Sequence, residues 1–221
     1  MENLLNRSAL LRQAVLSVMD YPAPHAPPRV HASLDAARLS LEHGESLRVL
    51  MEAQLGSSAA AMLRCQFEAF VRAVWLTSCA SEEQVELLLS PPTAEDQEKR
   101  ALPILPIMLP ALEKDPQLVN LVPQLKELKE YAWAALNSFV HAGVHALSRS
   151  REGFPLELAV STVLCSNNLM MLAGQHMAIL TGRKGLQKEV IQLTDAYADC
   201  LLLADGKDQA DEEVAASHQP I

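Results

Sequence analysis

An all-α bundle of about six to seven helices is the fold this sequence predicts, as one domain over residues 1–204 with a disordered acidic tail at 205–221. Three observations carry that reading. Leu and Ala are abundant while β-branched runs are scarce, and only nine of 221 residues are aromatic, so backbone preferences favour helices over sheets. A hydrophobic share of 49% in a chain of this length supplies a sizeable core. Finally, polar residues fall into single rows at i, i+4 spacing that leave out i+2, a spacing that a helix stacks on one face.

The elements follow in order. Residues 3–19 form an amphipathic helix with Arg7 and Arg12 inside it, so they lack the uninterrupted apolar centre of a secretory signal, and a cytoplasmic protein is expected. The proline-rich stretch 21–28 ends that helix, because proline lacks the amide hydrogen and restricts its predecessor. Helices at 30–55 and 58–79 are separated only by the weak break Gly56-Ser57-Ser58, so they read as two helices or as one long rod. Ser81 and Gln84 have capping-box spacing and start a short helix through Leu89.

From 90 to 123 seven prolines chop the chain into short turns such as 94–101 and 107–113, an irregular excursion between the third and the central helices. Its apolar run 102–110 is too hydrophobic to prefer water and suits a packing strap or lid. A helix at 123–150 follows, then one at 155–180 opened by proline, then one at 186–204. The tail has too few apolar residues to offset the entropy of ordering.

Two segments, 131–148 and 158–182, carry no formal charge and so suit the central pair of a bundle. The second is long enough to cross a bilayer, but Ser166, Asn167, Asn168, Gln175 and His176 oppose that, and a central helix with no membrane partner is expected. Ala134, Ser138, Ala142 and Ala146 make a row of small side chains that would admit a neighbouring helix closely. Beside it runs the row Trp133, Asn137, His141, His145, Arg149. The helix at 58–79 repeats the pattern with Arg64, Glu68 and Arg72, where each arginine is spaced to reach Glu68.

If the two rows meet, an arginine there binds phosphate or carboxylate and a histidine moves a proton. The plain alternative is a solvated charged face on one helix and a polar face on the other. His141 and His145 are spaced to share a metal ion, but no carboxylate lies within a turn of them, so neither metal nor cofactor is expected. His43 and His176 are lone histidines on apolar stretches and suit hydrogen-bonded structural roles. Cys65, Cys79, Cys165 and Cys200 are far apart and read as reduced, buried thiols.

A net charge of -9 repels nucleic acid unless a local basic patch intervenes, and the densest cluster, Arg183, Lys184 and Lys188, suits a helix junction. The sequence has no glycine-rich phosphate loop, no G-x-S-x-G elbow and no CxxC, which removes the common enzyme classes.

Two stretches, Leu63-Arg64-Cys65-Gln66-Phe67-Glu68-Ala69-Phe70-Val71-Arg72-Ala73-Val74-Trp75-Leu76 and Trp133-Ala134-Ala135-Leu136-Asn137-Ser138-Phe139-Val140-His141-Ala142-Gly143, resemble an uncharacterised bacterial helical family that is similar in pattern to HEPN-type bundles. The resemblance spans roughly residues 58–181. HEPN proteins are dimerising bundles, many of them metal-independent ribonucleases of toxin and phage-defence systems, with a motif of Arg, a following polar residue and a His a few positions on. Asn137 and His141 match the polar residue and the histidine, while Leu136 stands where the arginine belongs.

What the resemblance implies is therefore a bundle that works by binding, as a homodimer with a possible partner protein in a defence or toxin-antitoxin setting. The first alternative is an endoribonuclease acting on RNA, with His141 as general acid or base and Arg64, Arg72 or Arg149 replacing the missing guanidinium in space. The second is a small-anion binder that uses Arg64, Glu68 and Arg72 as its clamp.

Overall fold

The computed structural model describes residues 1–19, 26–91 and 102–202, and it is an all-α fold. Among the described residues nine α-helices run in the order α1 (Glu2–Met19), α2 (Pro28–Glu52), α3 (Gly56–Ser78), α4 (Glu82–Leu89), α5 (Leu105–Leu112), α6 (Leu121–Val140), α7 (Val144–Glu152), α8 (Leu156–Leu180) and α9 (Lys184–Ala196). Single 3-10 turns lie at Pro116–Leu118 and Ala198–Cys200. The count exceeds six to seven because one expected helix is split in two and the proline-rich stretch supplies α5. The expected turn at 94–101 and the tail at 205–221 lie outside the described residues.

The long apolar helix α8 is the axis of the bundle, packed by α1, α2, α3 and α9. By length and composition it would cross a membrane, yet half of its most apolar window is buried inside the protein. Its buried polar groups have partners in the bundle. Asn167 Nδ2 donates to Ser8 Oγ and to Cys200 O, each at 2.8 Å. Ser166 Oγ donates to Gln66 Oε1 at 2.7 Å, while Gln66 Nε2 donates to Ser166 O at 2.9 Å.

The helices α2 and α3 are not one rod. Gln54 takes a left-handed conformation with φ of 61°, the chain reverses over residues 53–55, and the two helices pack against each other along their length. Ser33, Ala37, Ser40 and Gly44 are all buried along α2 at 4-3-4 spacing. Ser33 and Ser40 donate to Ala73 O and Gln66 O of α3 at 2.7 and 2.9 Å. A Cβ on Gly44 would stand 2.8 Å from Gln66 Nε2, so a larger residue there would have to push that amide from its place beside Ser166. The close-packing row of small residues thus sits on α2, and not on the segment 134–146 to which the sequence pattern assigns it.

Residues 123–150 do not form one helix, which corrects the most consequential sequence expectation. The helix α6 stops at Val140, Ala142 is left-handed at φ of 51°, and Gly143 N–H bonds back to Ser138 O at 2.8 Å, a Schellman closure. Ser138 Oγ then accepts from the amides of His145 and Ala146 at 2.9 and 3.3 Å, so it caps the first turn of α7 from the preceding helix. A Cβ on Gly143 would lie 2.7 Å from that hydroxyl, which is why glycine stands at the joint. The segment is also peripheral: α6 packs on α3, α5 and α7, and Ala134, Val140, Ala142, Val144 and His145 are exposed. Of the two charge-free segments only α8 is central.

Within the proline-rich stretch, α5 lays Leu105, Met108, Leu109 and Leu112 against α3 and leaves Ile104 and Ile107 outside. The last helix ends at Ala196, short of the expected 204, and its chain end is clamped to α1. Arg7 bonds both carboxylate oxygens of Asp199 and Ala196 O at 2.8 Å, with its guanidinium 4.5 Å above the Tyr197 ring.

Candidate functional site

The α3 and α6 polar rows meet at Arg64. The face of α3 that carries Arg64 is covered by α6, which brings Trp133 across it. The guanidinium lies 4.8 Å from the centre of the Trp133 ring, and Phe67, one turn further along α3, meets the same indole edge-on at 6.0 Å. The indole thereby anchors α6 to α3 through a cation–π contact and an aromatic one.

Two further groups close around the guanidinium. Arg64 Nη2 donates to Glu68 Oε1 at 3.2 Å, and Nη1 lies 3.2 Å from Nε2 of His141, the residue that caps the end of α6. A guanidinium only donates, so in this contact His141 Nε2 is the acceptor. Arg64 Nε is buried without a partner. The helix ending at Val140 is what turns His141 toward α3, since its backbone N–H still closes the last turn on Asn137 O at 3.0 Å.

The remaining predicted site residues do not converge on that point. Arg72 does not share Glu68. It is half-buried, its Nη2 donates to Pro103 O at 3.1 Å, its Nη1 is buried and unpartnered, and desolvation pulls its pKa down against the opposing charge of Glu68. His145 is exposed on α7, past the break, and Arg149 faces Glu152 at 3.9 Å. Asn137 is half-buried and reaches His141 only through its backbone carbonyl. The row 133–149 is therefore two half-rows on different helices. That break removes the i, i+4 geometry on which shared metal ligation by His141 and His145 would rest.

The other titratable groups serve the interior. His176 lies 2.8 Å from Ser33 Oγ and edge-on to Phe70 at 6.3 Å. Because the single Ser33 hydroxyl hydrogen goes to Ala73 O, the imidazole donates from Nε2, and burial pulls its pKa down to about 4. All four cysteines are free, with Cys165 and Cys200 buried and Cys65 and Cys79 half-buried. Burial pushes the Cys165 and Cys200 thiols up to about 11, which keeps them neutral and inert.

Two surface features have no counterpart in the sequence reasoning. One is the outer side of α7, which buries none of its nine residues while Val144 and Leu147 stand 81% and 58% exposed. The other is an apolar cavity of about 330 Å³ between α6 and α8, floored by α3. Gly143 was the readable signal for the first, as the break that isolates α7. The second depends on how α6 leans on α3, which no local pattern encodes.

Residues 37–203 match a family of unknown function, DUF6988. No curated protein and no solved structure matches the chain.

Proposed function

We propose that this chain, which belongs to the DUF6988 family of unknown function, works by binding, as a homodimer whose copies meet through α7 and the turns flanking it. The observation that carries the reading is the exposed apolar side of α7. A nine-residue helix is too short to persist on propensity alone, and none of this one's side chains is fully buried in its own subunit. Val144 and Leu147 lie on one side at i, i+3, with Val140 and Leu156 exposed on the helix ends before and after them.

Charge favours a second copy as the occupant. A chain carrying -9 repels its own kind over most of its surface, whereas residues 140–148 have no formal charge and the remaining residues of α7 carry Arg149 and Arg151 against Glu152. Two copies related by a two-fold axis would set Val144 against Leu147 in both directions, a self-complementary contact. Size-exclusion chromatography with light scattering tests this. The full chain should elute at twice its 24.1 kDa mass, and the double variant Val144→Asp, Leu147→Asp should elute at the monomer mass with an unchanged helical spectrum. A wild type that stays monomeric at high micromolar concentration ends the reading.

The contact between Arg64 and His141 supports a second reading, the HEPN-type endoribonuclease. Arg64 brings to the histidine the guanidinium that Leu136 does not supply, although a phosphate would have to displace Glu68 from it. Under this reading His141 Nε2 takes the proton of the attacking 2′-hydroxyl as the bond from phosphorus to the leaving 5′-oxygen breaks, while Arg64 steadies the phosphate charge. RNA cleavage by the wild type should then fall by at least ~100-fold in both His141→Ala and Arg64→Ala. Activity that survives His141→Ala excludes it.

A further inference from the structure

We propose that the slot between α6 and α8 is a binding site for a neutral, apolar small molecule about 10 Å long. The slot is an apolar groove open along one side, and its volume of about 330 Å³ suits a small molecule. Its two long walls match. Ala132, Ala135 and Phe139 line it from α6, and Leu158, Thr162 and Cys165 line it from α8. Each set follows an i, i+3 or i+4, i+7 stripe, which covers about 10 Å of helix.

The lining selects the occupant. No formally charged residue lies between 131 and 148 or between 158 and 182, so nothing in either wall balances an ion. The hydroxyls of Ser161 and Thr162 both turn back to Leu158 O, at 3.1 and 2.6 Å, and leave no unmet donor for a polar ligand. Cys165 adds only a neutral thiol. An apolar molecule seated against this lining releases the water that otherwise covers it.

Size excludes a whole helix. A helix with its side chains is about 10–12 Å across and cannot enter a slot of this volume, so neither α7 of a second copy nor a partner helix fills it. The slot is distinct from the Arg64 cluster, because Leu63 faces it while the neighbouring Arg64 turns to Trp133. It is reached past the half-exposed Leu158 and Ser161, with Thr162 and Cys165 buried at its base. Alanines at 60, 132 and 135 keep it open.

Fluorescence titration of the full chain with the neutral dye N-phenylnaphthylamine tests the site. A saturable signal with one dye per chain is expected, weakened by about tenfold or more in Ala135→Leu and in Ala132→Leu, whose added side chains occupy the slot. Either variant alone suffices should the other misfold, and a raised melting temperature with the dye lost is the signature of a filled void. Val144→Asp, Leu147→Asp should bind the dye as the wild type does, whatever its oligomeric state. Absence of saturable binding overturns the proposal, as does unchanged affinity in both filled variants. So does loss of the dye in the α7 variant, which would place it on the α7 face, or a filled variant that becomes monomeric, which would place a second copy in the slot.

Discussion

A single buried imidazole gives this protein a pH dependence with a definite sign. His176 is neutral in the folded bundle, with its pKa lowered to about 4 from 6.5, chiefly by desolvation. Between those values the unfolded chain takes up a proton that the folded chain refuses, so the contribution is full above pH 6.5 and is lost as pH falls toward 4. Its size is about 3 kcal/mol at 1.36 kcal/mol per pH unit. Urea midpoints measured from pH 7 to 4.5 should drop more in the wild type than in His176→Gln; parallel curves would show that the imidazole is not held neutral. The sequence placed His176 on an apolar stretch and gave it a structural role, which its bond to Ser33 supports. It offered no sign of Gln66, a wholly buried amide that joins α3 to α8, because a lone glutamine in a helix looks the same whether it faces solvent or core.

Among elements, α7 depends most on a residue outside itself. Its first-turn amides are satisfied by Ser138 Oγ from α6, so Ser138→Ala should cost about 1 kcal/mol and fray the helix. Amide exchange at His145 and Ala146 should accelerate while α6 stays protected; unchanged exchange at those two amides would mean that the cap is idle. The break at 141–143 could be read only in part from sequence. Gly143 is a stop signal, but the left-handed residue is Ala142, which carries no such preference, and the cap comes from a serine that the i, i+4 pattern placed in a packing row. The start of α4 shows the opposite case. Ser81 and Gln84 form both bonds of the expected capping box, because that motif is complete within four residues.

At the scale of the whole molecule, α8 holds the bundle together with buried polar bonds as well as apolar area. Asn167 ties it to Ser8 of α1 and to the carbonyl of Cys200, and Asn168 pairs with both backbone groups of Leu202 at 3.0 Å. Asn167→Leu makes α8 more apolar yet should destabilise the fold by about 1–3 kcal/mol, since it strips partners from Ser8 and Cys200. A urea midpoint equal to or above wild type would show that hydrophobic burial alone fixes α8. By itself the sequence determined the helical class, most helix ends and the capping box at Ser81, because propensity, proline placement and short-range hydrogen bonds act within a few residues. Only the tertiary structure decided that Arg64 meets His141 while Arg72 and His145 stand apart, that the close-packing row belongs to α2, and that α6 stands off α8 to leave a slot. Those outcomes depend on how helices far apart in the chain lean on one another, and periodicity fixes the face of a helix but not its neighbour.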